Sequence, residues 1–271
     1  MTRRIDQAFK NAKNTGRKVL IPYIMAGDPD LATTRKLVPA LAAAGADVIE
    51  LGIPFSDPIA DGPVILKAAG RALALDTALT DVLQLVRELR ADGVTVPIVF
   101  MSYYNPIYKF GDAAFARAAA DAGVDGVIVP DLPPEEAHDL VAACRAHKIA
   151  TVFLLAPTSD ATRIAKVTRQ ATGFIYYVSL TGITGAKLSD PGDVKAKLAP
   201  VRAATNKPIA VGFGISTPEQ AAKIGALADG VIVGSALVKV IATTAEAGGD
   251  SDQVVAAASA FTKALREGLD G

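Results

Sequence analysis

Along the chain, short runs rich in Val, Ile and Phe alternate with longer stretches of Ala, Leu and charged residues. The short runs are residues 19–26, 47–52, 97–104, 126–130, 150–156, 173–179, 208–213 and 230–234. Most are apolar at consecutive positions, not at every second one. Parallel strands read this way when helices cover one face and a core fills the other. The longer stretches carry helical spacing: 30–45, 77–92, 111–123, 134–147, 159–171, 193–204, 217–227 and 252–267. Segment 30–45 follows Asp28-Pro29-Asp30 and stops at Gly45, a start signal and a C-terminal glycine. Pro133-Pro134-Glu135-Glu136 predicts a helix start, with a preset φ and acids at the positive end of the dipole. A further helix is expected near 3–14, before the first strand, and a short one after Pro63.

Eight strand–helix units in 271 residues match the count and size of a TIM (β/α)8 barrel. The junctions Gly45-Ala46-Asp47-Val48-Ile49, Gly123-Val124-Asp125-Gly126-Val127-Ile128 and Ala228-Asp229-Gly230-Val231-Ile232 echo one another, each a helix stop followed by a strand. No linker rich in Pro, Gly or Ser splits the chain, so residues 1–271 read as one domain with an extra N-terminal helix. The alternative is an open doubly wound sheet, in which the first and last strands do not pair.

Composition narrows the function classes. Hydrophobic residues make up 51% and charged residues 21%, which excludes wholesale disorder. Lys and Arg total 28 against 28 for Asp and Glu, a balance that argues against nucleic acid as the main partner. Cys144 is the one cysteine, read as a small buried hydrophobe in a reducing compartment. No apolar run approaches the ~20 residues of a membrane span. The opening Met1-Thr2-Arg3-Arg4-Ile5-Asp6 leads into no apolar signal core. The expectation is a soluble cytoplasmic protein.

In a barrel, chemistry is built at the C-terminal ends of the strands. Glu50 lies inside an apolar strand run, on the parity that faces the interior with Val48 and Gly52. A carboxyl there is costly to ionise, and burial raises its pKa toward neutrality, where it can shuttle protons. Asp57 and Asp61 follow on the next loop, where both also fit turn or capping roles. Gly212-Phe213-Gly214 after strand seven and Gly234-Ser235 after strand eight allow backbone N–H groups to approach an anion, the usual phosphate site of this fold. Ser179–Lys187 is small, polar and long enough for a lid. His138 and His147 lie nine residues apart on one predicted helix and cannot share a metal. No predicted strand contains a lysine, which weakens a Schiff-base aldolase. A Mg²⁺ held by Glu50 and an Asp stays open as an alternative, though none of these residues requires it. They leave open a phosphosugar isomerase, an aldolase or a binding barrel.

The stretch Ile49–Gly62, with both acids and the Phe55-Ser56-Asp57-Pro58 centre, resembles the signature of the tryptophan synthase alpha chain family. The resemblance runs along the whole chain: Tyr23, Gly27-Asp28-Pro29, Pro130-Asp131-Leu132-Pro133, Tyr176, Thr184-Gly185, Phe213-Gly214-Ile215-Ser216 and Gly234-Ser235. Leu180-Thr181 departs from some members. The resemblance implies retro-aldol cleavage of indole-3-glycerol phosphate to indole and glyceraldehyde 3-phosphate, in tryptophan biosynthesis. It implies Glu50 as the acid/base and Asp61 as the group that stabilises the ring nitrogen. It implies Tyr23, Met101 and Ile128 as walls for the ring and Tyr176 as support. Thr184, Gly185, Phe213, Gly214, Gly234 and Ser235 are implied for the rest of the substrate, its phosphate above all. No cofactor or metal is implied in this chain. The implied partner is a beta chain carrying pyridoxal phosphate, in an α2β2 heterotetramer, met through Pro54–Pro58, Asn105-Pro106 and Pro133-Pro134.

Overall fold

The consecutive apolar runs become eight strands: β1 (Val19–Met25), β2 (Ile49–Gly52), β3 (Ile98–Met101), β4 (Gly126–Ile128), β5 (Ala150–Leu155), β6 (Ile175–Val178), β7 (Ile209–Gly212) and β8 (Gly230–Val233). The structure is a computed structural model that describes residues 3–178, 191–212 and 214–271. Each strand pairs in parallel with the next, and β8 returns to β1 through Val19↔Gly230 to Pro22↔Val233. That closure excludes the open sheet and makes a (β/α)8 barrel. The helices are α1 (Arg3–Asn14), α2 (Leu31–Ala43), α3 (Pro63–Ala74), α4 (Leu79–Ala91), α5 (Tyr104–Phe110) and α6 (Asp112–Ala122). They continue with α7 (His138–Ala146), α8 (Ala161–Gln170), α9 (Pro191–Ala204), α10 (Pro218–Gly225), α11 (Ser235–Glu246) and α12 (Ser251–Asp270).

Strand alternation divides the apolar residues into two cores. Leu20, Ile49, Leu51, Ile98, Phe100, Val127, Ile175, Val211 and Val231 face outward, where helices cover them. Val19, Ile21, Val48, Val99, Ile128, Val152, Phe174, Tyr176 and Ile232 fill the interior. The extra N-terminal helix explains how the lower end is shut. Ile5, Phe9 and Ala12 of α1 join the interior cluster, and the Phe9 ring meets Phe174 at 5.5 Å between centroids. The other end stays open to chemistry.

The echoing junctions prove to be one repeated clamp. Asp47, Asp125 and Asp229 donate their backbone N–H to Leu20, Ile98 and Ile209 respectively. The same three residues donate back to the Asp carboxylates at 2.9, 2.9 and 2.8 Å. Each Asp thus pins the start of its own strand to the strand before. Each also meets an arginine from the helical layer: Arg266, Arg90 and Arg202. These clamps sit at the N-terminal ends of the strands, the end that confers stability.

Two boundaries differ from expectation. The apolar run 97–104 ends as strand at Met101, and Tyr104 begins α5. There the Tyr104 N–H donates to the Asp131 carboxylate at 2.9 Å, which gives the new helix an anionic start. The segment 134–147 does not become helical until His138. Pro133 and Pro134 supply no N–H, and Glu136 closes a turn on the Pro133 carbonyl at 3.0 Å. Glu135 instead reaches Lys166 and Arg163 of α8. The helix expected to open at Gly234-Ser235 is α11, which runs to Glu246.

Candidate active site

β2 places Glu50 at the open end of the interior, opposite Tyr23 on β1 and Val99 on β3. Its carboxyl is only 3% exposed, and Oε2 has no hydrogen-bond partner among the described residues. Burial first, and the charge of Asp61 second, push Glu50 up to about 8. Tyr23 and Tyr176 are buried and lie within electrostatic reach of both acids; burial is the main reason that their phenols are held well above the usual range.

Asp61 lies on the loop between β2 and α3. Gly62 is the helix N-cap and Pro63 the first helical residue, so Asp61 is not consumed as a cap. Burial raises its carboxyl to about 6, against a hydrogen bond from Tyr103 that lowers it. The two carboxyls therefore occupy different environments although they sense each other. Asp57 remains exposed, hydrogen-bonded to its neighbour Ser56, and does not join this pair.

Small residues make room for the tyrosines. A Cβ on Gly52 would collide with the Tyr23 hydroxyl, and one on Gly212 would lie 2.7 Å from the Tyr176 hydroxyl. Met101 ends β3 between the interior cluster and the cluster around Tyr23, and Ile128 is buried beside it on β4. On the far rim, Gly214 adopts a φ of +78°, a left-handed turn that favours glycine. Gly234 caps α11 without any side-chain hydrogen bond, which leaves the leading N–H groups of that helix from Ser235 onward uncapped by a side chain. Thr184, Gly185, Phe213 and the lid stretch Ser179–Lys187 lie outside the described residues.

Sequence reasoning missed Tyr103. The apolar run 97–104 reads as strand throughout, which hides a buried phenol at the barrel mouth. The hydroxyl accepts the Ala60 N–H at 3.0 Å, and the ring stacks on Phe55 at 5.5 Å. Asp28 pairs through both carboxylate oxygens with Arg71 of α3, at 2.7 and 2.9 Å, tying the first loop to the helix after Asp61. His138 and His147 are exposed at opposite ends of α7, away from the acids. Among the described residues no group of three His, Cys, Asp or Glu side chains could hold a metal.

A closed parallel barrel whose mouth brings together two carboxyls with raised pKa values, Glu50 and Asp61, among buried tyrosines has the architecture of a barrel enzyme with acid/base groups at its C-terminal end. Comparison with known proteins gives that class a family. The family model described as "Tryptophan synthase alpha chain" matches residues 9–269. The tryptophan synthase alpha chain of Geobacter sulfurreducens is 51% identical over 268 residues, 98% of each chain. That of Citrifermentans bemidjiense is 55% identical over 236 residues, 87% of this chain and 88% of the other. The crystal structure of tryptophan synthase subunit alpha from Legionella pneumophila superposes with a TM-score of 0.91 at 42% identity, covering 98% of both chains. This chain belongs to the tryptophan synthase alpha chain family. It is a lyase of tryptophan biosynthesis that carries the indole-3-glycerol phosphate half-reaction, and its family works with a beta-chain partner.

Proposed function

We propose that Glu50 is the acid/base and Asp61 the electrostatic partner of a retro-aldol cleavage. Protonated Glu50 gives its proton to ring carbon 3 of indole-3-glycerol phosphate. The ring becomes an indolenium whose nitrogen is cationic, and Asp61 accepts its N–H and stabilises that charge. Glu50, now a carboxylate, takes the proton of the side-chain hydroxyl. The carbon–carbon bond breaks, its electron pair returns to the ring, and indole and glyceraldehyde 3-phosphate result. The proton balance closes on one residue, so the ring serves as its own electron sink and the chain needs no cofactor or metal for this step. The observation that carries this reading is the buried Glu50 carboxyl, its Oε2 without a hydrogen-bond partner among the described residues, raised toward neutrality beside a more acidic Asp61.

Tyr23, Met101 and Ile128 would wall the indole ring, with Tyr176 supporting it. Backbone N–H groups of Gly185, Gly214, Gly234 and Ser235 would hold the phosphate, with Thr184 and Phe213 alongside. The uncapped start of α11 supports the phosphate assignment, because its dipole favours an anion. The partner would join as α2β2, carry the pyridoxal phosphate and receive the indole. Contacts would fall on Pro54–Pro58, Asn105-Pro106 and Pro133-Pro134. Ile59 is 83% exposed beside the first of these and Tyr108 is 68% exposed beside the second, apolar surface that a partner would cover. No helix among the described residues is long and apolar enough to cross a membrane, and the proposed location is the cytoplasm.

The test is indole release from indole-3-glycerol phosphate by the purified chain, alone and with a beta chain added. Slow release alone and a strong rise with the partner are expected. A folded chain that releases no indole in either condition overturns the reading.

A further inference from the structure

We propose that Tyr103 is a positioning residue for the cleavage, its hydroxyl pinning Ala60 and Asp61 together at the barrel mouth. Loop 54–61 connects β2 to α3 and must hold Asp61 at one place over a substrate. Its own side chains offer little for this. Ser56 and Asp57 bond each other, and Ile59 points to solvent. The Ile53 N–H still reaches the Met101 carbonyl of β3 at 2.8 Å; beyond it, among the described residues, the main chain of 54–61 is tied to another part of the chain through one hydrogen bond, from Ala60 N–H to the Tyr103 oxygen at 3.0 Å.

A phenol has one proton to donate and lone pairs to accept with. Tyr103 accepts from Ala60, and the Asp61 carboxylate, next in the chain, lies within electrostatic reach of the same hydroxyl. Its ring is 2% exposed and stacked on Phe55, so the oxygen is aimed by packing and not by a free torsion. Asp61 is thereby held from two sides, by the phenol and by the Gly62-Pro63 helix start that follows it. A donated hydrogen bond also favours the ionised carboxylate, opposing the burial that raises it. Placement and charge of Asp61 both pass through one hydroxyl.

The inference rests on the role given to Asp61 above, and the experiment separates the two. Tyr103→Phe keeps the ring and its stacking on Phe55 and removes only the hydroxyl. Asp61 in this variant is expected to titrate about one pH unit higher, followed by carbon NMR of ¹³C-carboxyl-labelled aspartate. The acid limb of kcat/KM should move up with it, and kcat should fall about tenfold to a hundredfold with a smaller change in KM. A merely structural phenol would lower the melting temperature and leave both midpoints in place, which overturns the inference. So does an Asp61 that titrates higher without any change in the rate profile. Asp61→Asn, assayed in parallel, reads the underlying assignment. If it turns over like the unsubstituted chain, the role of Asp61 fails, whereas a dead Asp61→Asn beside an unaltered Tyr103→Phe fails only the inference.

Discussion

Glu50 and Asp61 carry the same chemical group, and their surroundings hold them at different protonation preferences. At pH 7 Glu50, held at about 8, favours the protonated form, and Asp61, held at about 6, the ionised form. That is the pairing an acid donating to carbon and an anion facing a cationic nitrogen require. The expected kcat/KM profile is a bell rising through about 6 and falling through about 8, with limbs that belong to the coupled pair. A profile flat across this range would remove both assignments. Glu50→Gln is expected to abolish cleavage while substrate binding stays measurable, since the amide keeps the shape and loses the proton. The same variant has a stability signature. Glu50 titrates higher in the folded chain than its ordinary 4.5, so its stabilising protonation is complete below 4.5 and lost as pH rises through about 8. Denaturation of Glu50→Gln should therefore match the unsubstituted chain in acid and show the variant to be the more stable above pH ~8, by up to about 5 kcal/mol. Equal differences at both pH values would mean that the carboxyl is not desolvated.

At the scale of elements, the same Asp clamp is used three times with decreasing burial. The side chains of Asp125, Asp47 and Asp229 are 5%, 22% and 38% exposed. Replacing Asp125 by Ala takes the carboxylate from Arg4 and from the half-buried Arg90, which keeps its three carbonyl acceptors, and leaves the Ile98 N–H unpaired, at an expected cost of about 2–4 kcal/mol. Asp229→Ala removes a solvent-screened pair and should cost about 1 kcal/mol or less from its ion pair. Asp47→Ala should fall between. Urea midpoints read this order, and three equal losses would contradict it. Activity of the folded variants should be preserved, because the clamps sit at the end of the barrel opposite the acids. The repeat itself is readable in the sequence as a glycine or alanine, an aspartate and a strand. Its bonding is not, because the partners Leu20, Ile98 and Ile209 come from the preceding strand and are chosen by register. The shifted start of α7 has a similar lesson. Pro133-Pro134-Glu135-Glu136 suits a helix start locally, yet Glu135 is drawn to α8, a neighbour that local pattern does not reveal.

At the scale of the whole molecule, pattern and closure divide the work. Consecutive apolar runs separated by helical stretches determine eight buried parallel strands, because each strand must hide both faces. Two-residue alternation determines that Glu50 points inward, because its neighbours Ile49 and Leu51 are needed by the outer layer. The block Ile49–Gly62 determines the family by itself, and residues 9–269 bear it out. What the chain order leaves open is which ends meet. The pairing of β8 with β1 brings Gly234 over Tyr23, residues far apart in sequence, and it exists only once the barrel closes. Closure also decides the chemistry of the acids. A glutamate in a strand run has no fixed pKa until water is excluded around it and a second carboxylate is brought near. Tyr103 shows the limit most plainly. In sequence it is one aromatic residue in an apolar run, and only the folded loop puts its hydroxyl against Ala60 and Asp61. Pattern is a property of neighbours along the chain, while desolvation and hydrogen-bond partners are properties of neighbours in space.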